Sequence, residues 1–100
     1  MNNTYVVYCE EYYFNTKNLR TELVKRVYTV SYNQLEAEEV KNMMDEVLKK
    51  SVYQLTDDGK LLTTYDLKVI TLEGELSIDE AKSLVINDDY TWGKVGSSKR

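Results

Sequence analysis

The feature that most constrains the fold is a change of hydrophobic period near Asn33. Before it, two segments at about Thr4–Phe14 and Thr21–Tyr32 are rich in Val, Thr and Tyr. Such residues favour the pleated surface of a β-sheet, where side chains alternate between two faces. After it, apolar residues recur every three or four positions, as on one side of a helix. The sequence therefore predicts a β-β-α start, with the two strands forming an antiparallel hairpin.

The first predicted helix begins after Asn33, a favourable N-cap residue, and Glu36 stands three positions on, as in a capping box. Its apolar stripe consists of Val40, Met43, Met44, Val47 and Leu48. The same spacing continues to Leu55, so we expect the helix to extend to about that residue. The alternative is a break near Ser51, followed by a hairpin whose turn is Asp58–Gly59, a strong type I′ signal.

The rest of the chain predicts three further elements. They are a strand at about Leu61–Leu72, a short helix that begins after Ser77, and a final strand at about Asp89–Val95. The order is β-β-α-β-α-β, which indicates an α+β domain over residues 1–95, with a mostly antiparallel sheet and both helices on one face. We expect residues 96–100 to form a flexible basic tail.

The composition excludes several classes of active site. The chain has no histidine and a single cysteine, Cys9. Ser-His-Asp and Cys-His catalysis and a zinc site of Cys and His residues are therefore excluded, and no internal disulfide can form. The cysteine usage favours a cytoplasmic location, and no apolar run is long enough for a membrane span. We expect no enzymatic activity, no cofactor and no bound metal.

Three residues in the first predicted strand invite a chemical interpretation. Cys9 has no histidine partner, and neighbouring carboxylates disfavour its thiolate, so we expect a buried, inert cysteine. Glu10 and Glu11 are adjacent in a strand, so they point to opposite faces and cannot act on one substrate atom. We expect one of them to face solvent and the other to pair with Lys25 or Arg26 across the hairpin.

The charge is distributed unevenly along the chain. The formal net charge is −4, yet residues 36–90 alone carry a net charge of −8. This argues against direct nucleic-acid binding, because contacts to phosphate supply most of that affinity. It favours a protein partner with a basic surface. Glu36, Glu39 and Glu46 lie on outward flanks of the first predicted helix and could occupy a basic groove; a solvated helix face is the alternative.

Tyrosine is the most informative excess, with nine tyrosines against one phenylalanine and one tryptophan. Tyrosine is enriched at interfaces because one end of its side chain is apolar and the other is polar. We expect a cross-strand cluster of tyrosines on one face of the sheet, with charged residues among them. The candidate partner-binding residues of the sheet are Tyr8, Glu10, Tyr12, Arg26, Tyr28 and Tyr32. Stacking of single-stranded bases and simple capping of the core edge are the alternative uses.

The chain contains no motif that identifies a family. In type, this short, acidic, proline-free chain resembles small proteins of phages and mobile elements in AT-rich bacteria. Some of those proteins inhibit CRISPR nucleases or restriction enzymes by occluding a basic groove. The resemblance implies a non-enzymatic protein-binding module that inhibits or regulates a larger partner. The alternatives are an assembly protein that forms a homodimer through an open sheet edge or its tyrosine face, and, ranked last, a small enzyme using carboxylates and tyrosines.

Overall fold

The computed structural model describes residues 2–87. Its elements are β1 (Asn3–Asn15), β2 (Arg20–Ser31), α1 (Gln34–Ser51), β3 (Lys60–Glu73) and α2 (Ile78–Ile86). This confirms the α+β class and the predicted β-β-α-β-α succession. The sixth predicted element, the strand at Asp89–Val95, and the predicted tail at 96–100 lie outside the described residues.

The three strands form one antiparallel sheet in the order β2-β1-β3. β1 is the central strand and pairs with both neighbours along nearly its whole length. Glu10, for example, lies opposite Lys25 of β2 and opposite Asp66 of β3. Since both edges of a central strand are already paired, only its two faces remain to be covered.

The two helices cover opposite faces of this sheet, which corrects the expectation that both lie on one face. α2 packs through Ala81 and Val85 on the face that carries Tyr8. α1 packs through Leu48 on the face that carries Cys9. Tyr8 and Cys9 are adjacent in β1, so their side chains point in opposite directions. We call the two sides of the sheet the α1 face and the α2 face.

The sequence of β1 explains why cover is needed on both sides. Val6 and Tyr8 point to the α2 face and alternate with Val7 and Cys9, and all four side chains are at most 1% exposed. A strand with apolar side chains on both faces is stable only between two layers. A single layer of helices would have left one of the two sets in water.

β3 carries a bulge at Thr63, opposite Tyr12–Tyr13 of β1. Strict alternation from Asp66 would place Leu62 on the α2 face. The bulge inserts one extra residue, so Leu62 turns to the α1 face and packs there with Cys9. A single irregularity in the strand thus supplies the α1 face with one of its core side chains.

α1 ends at Ser51, so the expected extension to Leu55 is wrong and the alternative, a break near Ser51, is confirmed. Val52 is already extended, and Leu55 forms an antiparallel bridge with Leu61. A turn with Gly59 at a φ of 81° then leads into β3. Backbone hydrogen bonds to β3 replace those that a longer helix would have made.

Both predicted helix starts are confirmed. The side chain of Asn33 accepts a hydrogen bond from the backbone N–H of Glu36 at 3.2 Å. The side chain of Ser77 accepts one from the backbone N–H of Glu80 at 3.1 Å. These caps satisfy N–H groups that have no partner within a helix. Within residues 2–87, neither helix combines the length and the apolar character that a membrane span requires.

The two faces are covered to different extents. α1 has 18 residues and α2 has 9, which correspond to about 27 Å and about 14 Å of helix. β1 has 13 residues and spans about 43 Å. α2 reaches only the half of its face that carries Val6 and Tyr8. The other half of the α2 face begins near Glu10 and lies beyond the helix.

Candidate functional site

Glu11 is a buried carboxylate on the α1 face, with 1% of its surface exposed. It accepts hydrogen bonds from Arg26 Nε at 2.9 Å, from the Tyr13 hydroxyl at 2.7 Å and from the Tyr28 hydroxyl. These three donors compensate for the hydration that a buried carboxylate loses. The expected pairing of one glutamate with Lys25 or Arg26 across the hairpin is therefore confirmed, for Glu11 and Arg26. Glu10 lies on the other face, where it is partly buried rather than fully solvent-facing.

This carboxylate and its burial change the acidity of the neighbouring groups. Burial, with the charge of Glu11 adding to it, raises the pKa of the Cys9 thiol to about 12. Burial and the hydrogen bonds to Glu11 raise the pKa of Tyr13 and of Tyr28. Cys9 is thus a buried thiol that stays protonated at neutral pH, as expected of an inert cysteine.

A cleft of about 160 Å³ opens beside the Glu11 network. Its lining residues are Tyr13, Val24, Arg26, Thr56, Asp58 and Lys60. Both cations of the cleft have carboxylate partners within the fold. Arg26 binds Glu11, and Lys60 Nζ lies 2.7 Å from Glu22 Oε1. The cleft therefore joins β1, β2 and the turn before β3, and its positive charges are already balanced.

The predicted tyrosine cluster does not form, because the strand register divides its members between the two faces. Tyr8 lies opposite Val27, so the next residue, Tyr28, points to the α1 face. Tyr8 is buried under α2, and its hydroxyl donates to Glu10 at 2.9 Å. The hydroxyl of Tyr32 donates a hydrogen bond to the backbone carbonyl of Leu76, just before α2, at 2.6 Å. Tyr12 lies on the uncovered half of the α2 face.

The outward side of α1 carries exposed apolar side chains. Leu35 is 75% exposed, Met43 is 60% exposed and Val47 is 49% exposed. The expected stripe placed Met43 and Val47 against the core, whereas the buried residues of α1 are Ala37 and Leu48. The helix is therefore rotated toward the small Ala37 side chain, which turns part of the apolar stripe outward.

Acidic residues accompany these apolar side chains. Glu39 and Glu46 are exposed, as expected, and Glu46 Oε2 lies 3.8 Å from Lys49 Nζ. Glu36 differs, because its carboxylate accepts a hydrogen bond from the Ser31 hydroxyl at 2.6 Å and is tied to the start of the helix. We define the α1 ridge as Leu35, Glu39, Met43, Glu46 and Val47.

The uncovered half of the α2 face is a second exposed surface. It contains two rows of side chains that run across the three strands. The rows are Leu23, Tyr12 and Thr64, and then Thr21, Phe14 and Leu61. Leu23 is 47% exposed, and Tyr12, Phe14 and Leu61 are partly buried. The strand alternation predicts which side chains share this surface, but only the position of α2 shows that no helix among residues 2–87 covers it.

No protein-family model, curated protein or solved structure matches this chain. Within residues 2–87, no group of three or more His, Cys, Asp or Glu side chains is placed to hold a metal ion. Two surfaces of the chain are candidates for a function: the α1 ridge and the outer edge of β2.

Proposed function

We propose that this chain is a protein-binding module that inhibits or regulates a larger partner by placing the α1 ridge in a groove with basic rims. The observation that carries the proposal is the exposure of Leu35, Met43 and Val47 on one helix. Covering apolar surface yields roughly 25 cal/mol per Å², so these side chains favour a partner that buries them. A helix that lays apolar anchors into a groove is a common mode of recognition.

The charge of the ridge supports a basic partner. Glu39 and Glu46 stand beside the apolar anchors, and the region from 36 to 90 has a net charge of −8. Complementary charge speeds association and selects the partner, while buried apolar anchors supply most of the affinity. A ridge of this kind would exclude nucleic-acid phosphates from the groove it fills. A nuclease of a host defence system is therefore a suitable class of partner.

The test compares two double charge reversals of equal size. Glu39→Lys with Glu46→Lys changes the ridge. Asp57→Lys with Glu73→Lys is the matched control, because both residues are exposed and lie off the ridge. A partner captured from bacterial lysate by the wild-type chain is purified, and its affinity for each variant is measured at low and high salt. We expect the ridge variant to lose at least about tenfold in affinity at low salt and the control to lose much less.

A third variant, Met43→Ala, tests the apolar contribution of the ridge. We expect it to weaken binding by about 1–2 kcal/mol at every salt concentration, because the interaction is not electrostatic. Thermal unfolding of all variants should stay close to wild type, since the substituted residues are exposed. Equal losses in the ridge and control reversals, or no loss in either, would contradict the proposal.

A further inference from the structure

The two outer edges of the sheet differ in their protection at the end that carries Arg20 of β2 and Lys60 of β3; beyond Leu62, β3 is an unpaired edge among residues 2–87, as β2 is. The start of β3 is covered by the segment after α1, where the N–H of Tyr53 donates to the Leu62 carbonyl and the N–H of Thr56 donates to the Lys60 carbonyl, both at 2.8 Å. β2 forms the other edge, and no strand among residues 2–87 pairs with its outer side. An edge strand presents backbone N–H and C=O groups that can pair with another chain.

β2 lacks two of the features that block edge pairing, a short length and a proline, although it carries four charged side chains. It is 12 residues long and contains no proline. Its one irregularity is a bulge opposite Val7–Tyr8, which interrupts the strand only near Tyr28. The segment from Arg20 to Val27 is therefore a regular edge of eight residues, long enough to pair with a second strand.

We propose that β2 pairs antiparallel with β2 of a second copy around a two-fold axis at Val24, which joins the two sheets into one of six strands. An axis normal to the sheet keeps the two α1 faces on the same side, so residues in direct opposition point to the same face. With Val24 at the centre, Glu22 of each copy lies opposite Arg26 of the other. Two pairs of opposite charge thus flank the axis.

Neighbouring registers are less favourable because they oppose like charges. An axis at Leu23 places Arg20 opposite Arg26 of the second copy. An axis at Lys25 places that lysine opposite its own counterpart. Like charges in direct opposition destabilise a strand pair, so the charge pattern of β2 selects Val24 as the centre.

Both charged residues have capacity for this second contact. Arg26 gives its Nε–H to Glu11, yet its side chain is 50% exposed and the guanidinium carries further N–H donors. Glu22 accepts from Asn15 at 3.0 Å and binds Lys60, and its side chain is 33% exposed. Because the outer edge of β2 is separate from the α1 ridge, the dimer does not depend on the proposed function.

The decisive substitutions are at Leu23, which is 47% exposed and would lie opposite Lys25 of the second copy on the α2 face. Lys25 Nζ lies 3.3 Å from the Ile86 carbonyl, so its charge stays near this edge. Leu23→Glu creates two pairs of opposite charge across the axis, and Leu23→Lys creates two pairs of like charge. We expect the first to tighten the dimer about fivefold and the second to weaken it about fivefold.

The measurement is sedimentation equilibrium of the full chain from micromolar to millimolar concentration. Thr64→Glu and Thr64→Lys, on the exposed part of β3, serve as matched controls and should leave the dissociation constant unchanged. A protein that stays monomeric up to millimolar concentration overturns the proposal. Equal weakening by both Leu23 variants also overturns it, because that result indicates packing of the apolar faces. The Glu39→Lys/Glu46→Lys variant should dimerise like the wild type, which separates this test from that of the α1 ridge.

Discussion

The two faces of the sheet carry similar strand side chains, but the helices cover them to different extents. On the α1 face, a helix of 18 residues crosses all three strands, and even the carboxylate of Glu11 is buried with three hydrogen-bond donors. On the α2 face, a helix of 9 residues covers Val6 and Tyr8, and no helix in the described part of the chain covers the sheet beyond Glu10. The extent of the core is thus set by helix length and position as well as by strand composition.

The polar groups of β1 follow the same division. Glu11 lies under α1 and is held by Arg26, Tyr13 and Tyr28. Glu10 lies at the limit of the cover by α2 and accepts its hydrogen bond from Tyr8. Adjacent residues of one type therefore differ in their surroundings because they face different layers. The first two of the following tests compare the two faces at neighbouring positions, and the last tests the Glu11 network of the α1 face alone.

The largest expected difference is between two adjacent leucines of β3. Leu62 is 1% exposed on the α1 face, whereas Leu61 lies on the open half of the α2 face. Leu62→Ala removes buried methyl groups and leaves a cavity, so we expect it to lower the free energy of unfolding by about 3 kcal/mol. For Leu61→Ala we expect a loss of about 1 kcal/mol or less. Urea unfolding at pH 7 in dilute solution measures both values.

The same two variants can also contradict the difference in cover between the two faces. Equal losses at the two positions would mean that the open half of the α2 face is as well covered as the α1 face. A smaller loss at Leu62 than at Leu61 would reverse the assignment of the β3 bulge at Thr63, since that bulge places Leu62 in the core. The slope of the free energy of unfolding against urea concentration should be the same in both variants.

The next largest difference is expected between the two adjacent glutamates. Glu11→Gln keeps the shape of the side chain but removes the charge that Arg26 and two tyrosine hydroxyls bind. We expect a loss of about 2 kcal/mol, since hydrogen bonds to a buried charge are strong and their donors would lose their acceptor. Glu10→Gln, on the other face, should cost about 0.5 kcal/mol or less. Similar losses in the two variants would contradict the distinct roles assigned to the two carboxylates.

Local sequence signals predicted the parts of the fold that depend on neighbouring residues. The two helix caps at Asn33 and Ser77 and the three described strands were predicted from residue type and spacing. The burial of Cys9 was expected from its chemistry, and the hairpin indicated that one of the two glutamates pairs with Lys25 or Arg26. These features require only short-range geometry, so they can be read from the chain before its packing is known.

The predictions that were wrong concern features that depend on long-range packing. The end of α1 at Ser51 is set by hydrogen bonds between the following segment and β3, although the apolar spacing continues to Leu55. The orientation of α1 depends on which side chains pack inward: Ala37 is buried, and Met43 is left exposed. The predicted tyrosine cluster does not form because the hairpin register, which no tight turn fixes, places Tyr28 on the α1 face and Tyr8 on the α2 face.

The smallest expected effect concerns Tyr28 and appears mainly at alkaline pH. Burial and the hydrogen bond to Glu11 raise the pKa of Tyr28, so the native protein keeps a proton that the unfolded chain releases above about pH 10. The stability due to this group is complete below that pH and is lost as the pH rises toward the raised native pKa, at about 1.4 kcal/mol per pH unit. Tyr28→Phe should cost about 1 kcal/mol at pH 7 and reduce the loss of stability above pH 10.

Urea unfolding at pH 7, 10 and 11 measures this effect. The hydroxyl of Tyr13 binds the same carboxylate, so Tyr13→Phe should change the stability in the same direction. A loss of stability above pH 10 that stays equal in wild type and Tyr28→Phe would show that the Glu11 network does not hold this proton.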